Sequence, residues 1–426
     1  MASEPPTGAY IPGRFDTAQG AATGLPLAVI EQWRSTGQSS TDAQRLLSRH
    51  ATRGYNVVSD SAGLTKLSQR LGLLEVLAVI DRPKRILYAY TRAIGGEAVG
   101  VWAADNAQMF HSDTTDTADT TGPTDAGVLL SALLKVQDEI ERRCRARVGI
   151  GVHHGSFYDL AGGLYGAEAD AIEDIAENHT EGGEIAVTAP VVDRLPRDHS
   201  FVIRRKDGPE SPVGAVYQVL DGPRLDGVRP VEDQRYPIPY SAAFYADLLR
   251  LEHSPEDVEL AERLTAEHLQ HRTVVLVERS VAPAETPELG LLRGLALSAV
   301  MKETGLRLMP ALGAVEIKIA GPLAIYLFEH PGPAVRFAQS LRAGLAEHEI
   351  SCRIGVADGP VLAGETPGGG WDIAGAPVNL ASKMAQDLGA PGRVYLSEAL
   401  REHVHLDGFA AVRRTVSGVQ MAYFEG

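Results

Sequence analysis

Residues Trp371 to Lys383 read WDIAGAPVNLASK. Gly375 and Pro377 interrupt the backbone between Asp372 and Asn379, and proline suits the first turn of a helix, where its missing N–H costs nothing. The stretch therefore predicts a break followed by a helix. Asn379 and Lys383 stand at i and i+4 and share one helix face, with Asp372 just before it. First-turn N–H groups and the helix dipole favour negative charge. A carboxylate, a carboxamide and an ammonium gathered there suit an anionic, hydrogen-bonding ligand such as a nucleoside triphosphate. Alone, the same residues could equally satisfy loop backbone and present a solvated lysine, so the rest of the chain has to decide.

With 426 residues the chain has room for two or three domains, each with its own core. Its 44% hydrophobic and 22% charged residues are those of a soluble globular protein. A formal net charge of -15 argues against nucleic acid or an anionic membrane as partner. It also means that a bound triphosphate needs cations to offset repulsion. Cys144 and Cys352 lie far apart in plain surroundings, which speaks against a disulfide framework or thiolate metal site and fits a reducing, cytoplasmic setting. The apolar runs at 128–134 and 291–301 are too short to span a bilayer. The N-terminal MASEPPTGAYIPGRFD lacks a basic start followed by an apolar core.

Along the chain, residues 1–24 read as a loose tail and 25–52 as a helical segment. A strand is expected at 55–59, ending in Asp60. An apolar-periodic stretch at 64–94 is expected as two helices, or one broken near Pro83. Short strands follow at 98–102 and 106–110, then a helix at 126–143, a strand at 148–152, a helix at 167–178, a strand at 184–188 and a closing strand pair at 201–220. This alternation defines an α/β domain over 53–221. Residues 222–271 read as linker and helical segment, and 272–426 as a second domain.

The second domain repeats the first. Ser254 to Val277 echoes Ser40 to Ser59, with His268 and His50 each ten positions before the strand-end acid, Glu278 or Asp60. CRIGVADG at 352–359 repeats GIGVHHG at 149–155, and Arg413-Arg414 before Tyr423 matches Arg204-Arg205 before Tyr217. Two copies in one chain imply a pseudo-symmetric internal dimer, for which a monomer would suffice. Their polar residues are divided unevenly. The first copy has Asp60 and Asp105 where the second has Glu278 and Pro322. Two aspartates at strand ends, with Gly63 close behind the first, could hold Mg²⁺ or Mn²⁺ beside a phosphate. The second copy has Lys318, Asp372, Asn379 and Lys383 where the first has Val101, Gly163, Asp170 and Asp174. One working site between the copies is the economical reading.

In SDSAGLTKLS, AADNAQMF, the Lys318-to-Pro322 hairpin, RIGVADG and WDIAGAPVNLASK, the chain resembles the class III nucleotidyl cyclases in their two-domain form. The resemblance covers residues 53–221 and 272–424. It implies a pair of ferredoxin-like α+β domains and conversion of a nucleoside triphosphate to a 3′,5′-cyclic product with release of pyrophosphate. Asp60 and Asp105 would be the ligands of two metal ions, and Gly63 would let backbone N–H groups approach phosphate oxygens. Lys318 and Asp372 would read the base, an ammonium donor and a carboxylate acceptor matching adenine N1 and its 6-amino group. Asn379 would orient the ribose and Lys383 would stabilise charge on the α-phosphate. Many family members have arginine at this last position, and lysine lacks its planar fork. Arg413 or Arg414 could reach the terminal phosphates or simply be solvated.

Three readings follow: an adenylate cyclase acting on ATP; a cyclase for GTP or a pyrimidine nucleotide; and a catalytically silent nucleotide-binding module. Retention of both aspartates with all four second-copy residues favours an enzyme. Gly95-Gly96-Glu97 looks like the signature turn of diguanylate cyclases but falls before the Asp105 hairpin, and is read as coincidence. His153-His154 lacks a third ligand at metal spacing and reads as a pair of strand-end histidines facing solvent or the domain interface. The sequence names no regulator.

Overall fold

A computed structural model describes residues 25–63, 67, 71–99, 107–113, 125–207, 211–230, 242–281, 284–365, 371–416 and 419–426. Two short helices open it, α1 (Leu27–Arg34) and α2 (Ser40–Leu47). An 11-residue strand follows, β1 (Ala51–Ser61), longer than the run 55–59 that its apolar core suggests. Then comes α3 (Leu73–Arg92), one helix with Pro83 inside it. Of the two expected readings, a break near Pro83 does not occur, whereas Leu67 is helical and is separated from α3 by non-helical residues at 71–72. An interior proline costs ~3 kcal/mol, but α3 buries Leu74, Leu77, Val79, Ile80, Ile86 and Leu87, each contributing ~1.5–3 kcal/mol, and that burial outweighs it.

The first sheet continues with β2 (Glu97–Ala98) and β3 (Ala107–Ser112). Next is α4 (Ala126–Arg143), where Asp125 caps the helix by accepting from the backbone N–H of Gly127 and Val128. It is followed by β4 (Val148–Leu160), β5 (Gly163–Tyr165), α5 (Ala167–Asn178), β6 (Ile185–Thr188), β7 (Val202–Arg205) and β8 (Val216–Asp221). The strand order is β2-β3-β1-β4-β6-β8-β7, with β5 paired to β4. Residues 54–59 of β1 are buried throughout because both sheet faces are covered. Tyr55 and Val57 pack under α3 and α4 with Leu129, Leu133 and Ile140, while Val58 meets Ile172 and Ile175 of α5.

The second half repeats this plan. Helices α6 (Ala242–His253) and α7 (Val258–His268) precede β9 (Leu269–Arg279), which is also 11 residues long. Then come α8 (Pro287–Leu312), β10 (Val315–Ala320), β11 (Leu323–Phe328), α9 (Pro331–Ala346), β12 (Cys352–Glu365), β13 (Trp371–Ala374), α10 (Ala376–Ser382), β14 (Arg393–Ser397), β15 (Ala410–Val416) and β16 (Val419–Glu425). The order β10-β11-β9-β12-β14-β16-β15, with β13 on β12, matches the first sheet strand for strand. In each sheet one neighbouring pair is parallel, β4 with β6 and β12 with β14.

The compact units do not follow the repeat boundaries. One comprises the described residues of Arg45–Val258, and the other residues 25–44 with Glu259–Gly426. Each unit is thus an α+β sheet domain plus a helix that the chain supplies from outside the copy. Among the described residues no helix is long and apolar enough to cross a membrane.

Candidate active site

The paired registers fix which residues of the two units correspond. Ser59 lies opposite Ala107 and Ile150, and Val277 opposite Ala324 and Ile354. Asp60 therefore matches Glu278, and the residues across from them, Gly149 and Arg353, match each other. The same registers match Asp372, opposite Gly364, to Gly163, opposite Leu160. Counting on through Gly375 and Gly166 pairs Asn379 with Asp170 and Lys383 with Asp174. Lys318 differs from expectation. It lies opposite Ile325, the counterpart of Gln108, and Gln108 accepts from the backbone N–H of Val99. Val99, not Val101, holds the place of Lys318, because Val99 stands 108−99 = 9 positions before Gln108 whereas Lys318 stands 325−318 = 7 before Ile325.

In the first unit Asp60 is half-buried near the end of β1, facing a glycine across the ladder. Gly149 has no room for a side chain. A Cβ there would lie 1.9 Å from Thr180 Oγ1, which itself donates to the Ala176 carbonyl at 2.5 Å. Ala62 N–H donates to the Arg147 carbonyl at 2.9 Å, and the chain then turns at Gly63 with φ 74°. That left-handed conformation is open to glycine and strained for other residues. Asp105 lies outside the described residues; β3 begins two positions later, at Ala107, beside the same end of β1. A half-buried carboxylate with a glycine opposite and a permissive turn behind it supplies the hard oxygen chemistry that Mg²⁺ or Mn²⁺ takes. Among the described residues no group of three or more His, Cys, Asp or Glu side chains is placed to hold a metal.

In the second unit the matching carboxylate is already neutralised. Arg353 Nη2 donates to Glu278 Oε2, while Arg353 Nη1 donates to the carbonyls of Gln386 and Gly389 at 3.2 and 3.3 Å. Burial raises the Glu278 carboxyl above its ordinary range, with the Arg353 guanidinium opposing. The next residue, Arg279, is buried and donates to Ser298 Oγ at 2.9 Å. Its backbone N–H donates to the carbonyl of Pro322, the residue at the Asp105 position, at 3.0 Å. A cation cannot gain this carboxylate without displacing a guanidinium.

In the second unit all four residues lie on β10, β13 and the α10 segment that follows β13. Lys318 is half-buried on β10, next to a register shift between Glu316 and Lys318, and β10 packs beside β13, which carries Asp372. Strand β13 runs through Gly375 into α10, with Pro377 in its first turn as the sequence predicts. Asn379 is exposed on α10. Lys383 ends α10 and opens a π-helical turn, Lys383–Asp387, an irregularity found disproportionately at functional sites. The widening begins at Lys383, so Asn379 and Lys383 remain one α-helical turn apart on one face. Lys383 Nζ lies 3.6 Å from Asp387 Oδ2. Arg413 and Arg414 are exposed on β15.

The paired histidines are not at a strand end and do not face solvent. Both lie within β4 and are 2% exposed. His153 Nδ1 contacts Thr188 Oγ1 at 2.8 Å and its Nε2 contacts Glu168 at 3.1 Å. His154 Nε2 contacts Asp113 at 3.0 Å. Burial lowers both imidazoles below their ordinary range, against the carboxylates. Sequence reading missed their burial because β4 continues eight residues past Val152, to Leu160. It also missed the Arg353–Glu278 pair, although an arginine at the Gly149 position was visible.

No family model matches the sequence, and no curated protein matches it. Solved structures do match, and the paired sheets have the fold of the class III nucleotidyl cyclases. One is a class III adenylyl cyclase-like ATP-binding protein from Pseudomonas aeruginosa, 12% identical, matched over 83% of this chain and 85% of its own with a TM-score of 0.51. At that identity the likeness speaks for the fold. Others match over 37% of this chain: the adenylyl cyclase CyaB from P. aeruginosa, 16% identical over 95% of its length with TM-score 0.30, and the guanylate cyclase domain of RhGC from Catenaria anguillulae in complex with GTP, 16% identical over 95% with TM-score 0.29.

Proposed function

We propose that this chain is an adenylate cyclase that converts ATP to 3′,5′-cyclic AMP and pyrophosphate at one composite site. The observation that carries the reading is the asymmetry of the matched strand ends. Glu278 is held by Arg353 on the neighbouring strand, whereas the residue across from Asp60 is a glycine, so the two copies differ in which strand-end carboxylate has a guanidinium beside it. Asp60 and Asp105 would hold Mg²⁺ or Mn²⁺, which acidifies the ribose 3′-OH and takes up charge on the leaving pyrophosphate. Gly63 would allow the backbone to approach phosphate oxygens. Lys318 would donate to adenine N1, and Asp372 would accept from the 6-amino group. Asn379 would hold the ribose, and Lys383 would balance charge growing on the α-phosphate.

A silent ATP-binding module is the second reading, and one observation favours it. Lys383 stands 3.6 Å from Asp387, so this ammonium already has an anion competing with phosphate. The experiment that separates the readings supplies the full-length protein with ATP, GTP, CTP and UTP separately, with Mg²⁺ and then Mn²⁺, and identifies products by mass spectrometry. Cyclic AMP from ATP, absent in Asp60→Asn, supports the proposal. A cyclic product from another nucleotide would overturn the base assignment to Lys318 and Asp372. Binding without product from any nucleotide would favour the silent module.

A further inference from the structure

Each copy is introduced by an arm of two helices, α1–α2 before β1 and α6–α7 before β9. The arms run in step: Arg34 stands 50−34 = 16 residues before His50, and Glu252 stands 268−252 = 16 before His268. Ile30 and Trp33 thereby match Leu248 and Leu251, and all four are buried. Helix α1 groups with the second unit and packs on α8, while α6 groups with the first and packs on α3. Since α3 and α8 are themselves counterparts, the exchange is reciprocal.

At the matched position the charge is reversed. Arg34 donates to Glu303 of α8 at 2.6 Å. Glu252 accepts from Arg82 of α3 at 3.1 Å, with Arg85 3.8 Å away and itself paired to Asp81 at 2.9 Å. The Glu252 side chain is 4% exposed, and a carboxylate so buried needs its guanidinium partners. An arginine there would be a third guanidinium beside Arg82 and Arg85. Apolar matching alone would let either arm cover either helix, whereas opposite charges penalise the wrong choice.

We propose that the arms are charge-keyed docking elements: α8 takes the cationic helix α1, and α3 takes the acidic helix α6. Each face thereby selects the arm that introduces the other copy. This inference does not depend on the catalytic reading.

The test is hydrogen–deuterium exchange on the full-length protein. Glu252→Arg should raise exchange in α6 and the facing turns of α3 tenfold or more, with α1 and α8 unchanged, and adding Arg82→Glu should reverse most of the rise. Where Glu252→Arg fails to fold, the exposed pair carries the test. Arg34→Glu should speed exchange in α1 and α8 a few-fold, and Glu303→Arg should restore it. Exchange that stays unchanged in the single variants, or that rises and is not reversed by the compensating charges, would mean the arms are held by apolar packing alone and would overturn the proposal.

Discussion

The ends of β1 and β9 are the same place in two copies of one fold, and their surroundings differ. In the first unit the strand-end carboxylate, Asp60, looks across at Gly149. In the second, Glu278 looks across at Arg353 and is paired with it. Arg353 on the neighbouring strand gives Glu278 a guanidinium partner, where the residue across from Asp60 is a glycine. In the proposed reading the second unit uses Lys318, Asp372 and Asn379 for the base and ribose and Lys383 for the α-phosphate. Asymmetry between duplicated domains thus arises at the residue opposite the carboxylate as much as at the carboxylate itself.

The largest expected effect breaks this comparison directly. Asp60→Asn should lower cyclase turnover by ~10³-fold or more, the scale of losing a preorganised electrostatic group, while circular dichroism and melting temperature stay near wild type. Glu278→Gln should barely change turnover; comparable losses from both would sink the division of roles. Lys383→Ala comes next, with ~10²-fold lost from kcat. Asp387→Asn, which frees the same ammonium, should raise kcat a few-fold, and a fall would show that Asp387 positions the lysine.

A third test uses a buried contrast on β3. His111 occupies the place held by Phe328 in the second unit, and burial pushes its imidazole down to about 4 despite a hydrogen bond to the Ile94 backbone. A base whose folded pKa lies below its unfolded 6.5 binds protons preferentially when unfolded. Stability is therefore unaffected above pH 6.5 and declines as pH falls from there to about 4, by up to ~3 kcal/mol. Denaturant melts of wild type and His111→Phe across that range should converge above pH 7 and show a shallower acid decline in the variant; parallel curves would remove His111 as the cause.

Smaller again, Glu278→Gln should cost about 1–2 kcal/mol of stability, because Arg353 is left half-buried with weaker acceptors and partial exposure screens the loss. Urea midpoints would show it. Least of all, Asp170→Ala, at the position matching Asn379, should leave turnover within about two-fold; a large loss there would mean that the first unit also binds substrate, against the scale set by removing an electrostatic contact.

How far the sequence reached varies with the kind of signal. Helices α4 and α5 were legible to the residue because period, cap and break agree: Asp125 caps one, and Gly166 precedes the other. The turn from β13 into α10 was legible through Gly375 and Pro377. Local chemistry misled where burial decides, as at Pro83, which α3 absorbs, and at His153 and His154, which lie inside β4. Register also had to be seen. Lys318 matches Val99 because hairpin lengths differ between the copies, and the arms repeat in sequence without saying which helix each one covers. The expected domains 53–221 and 272–426 each fall within one compact unit, and the cuts between units fall inside the flanking segments 25–52 and 222–271. For the site, the assignments of Asp60, Gly63, Asp105, Lys318, Asp372, Asn379 and Lys383 rest on motif and correspondence. The internal neutralisation of Glu278 came from geometry.

Gly149 also bears on how such a pair can diverge. Any side chain at this position would strike Thr180, whose hydroxyl is already committed to the Ala176 carbonyl. A single mutation to arginine in the first unit would therefore meet a steric barrier before it could reach Asp60. The two halves therefore differ in what this position tolerates: the second carries an arginine here, and the first cannot accept one unless the segment at Thr180 moves. If the strand-end aspartate holds a cation as proposed, loss of that cation in descendants of this chain should come through replacement of the aspartates themselves.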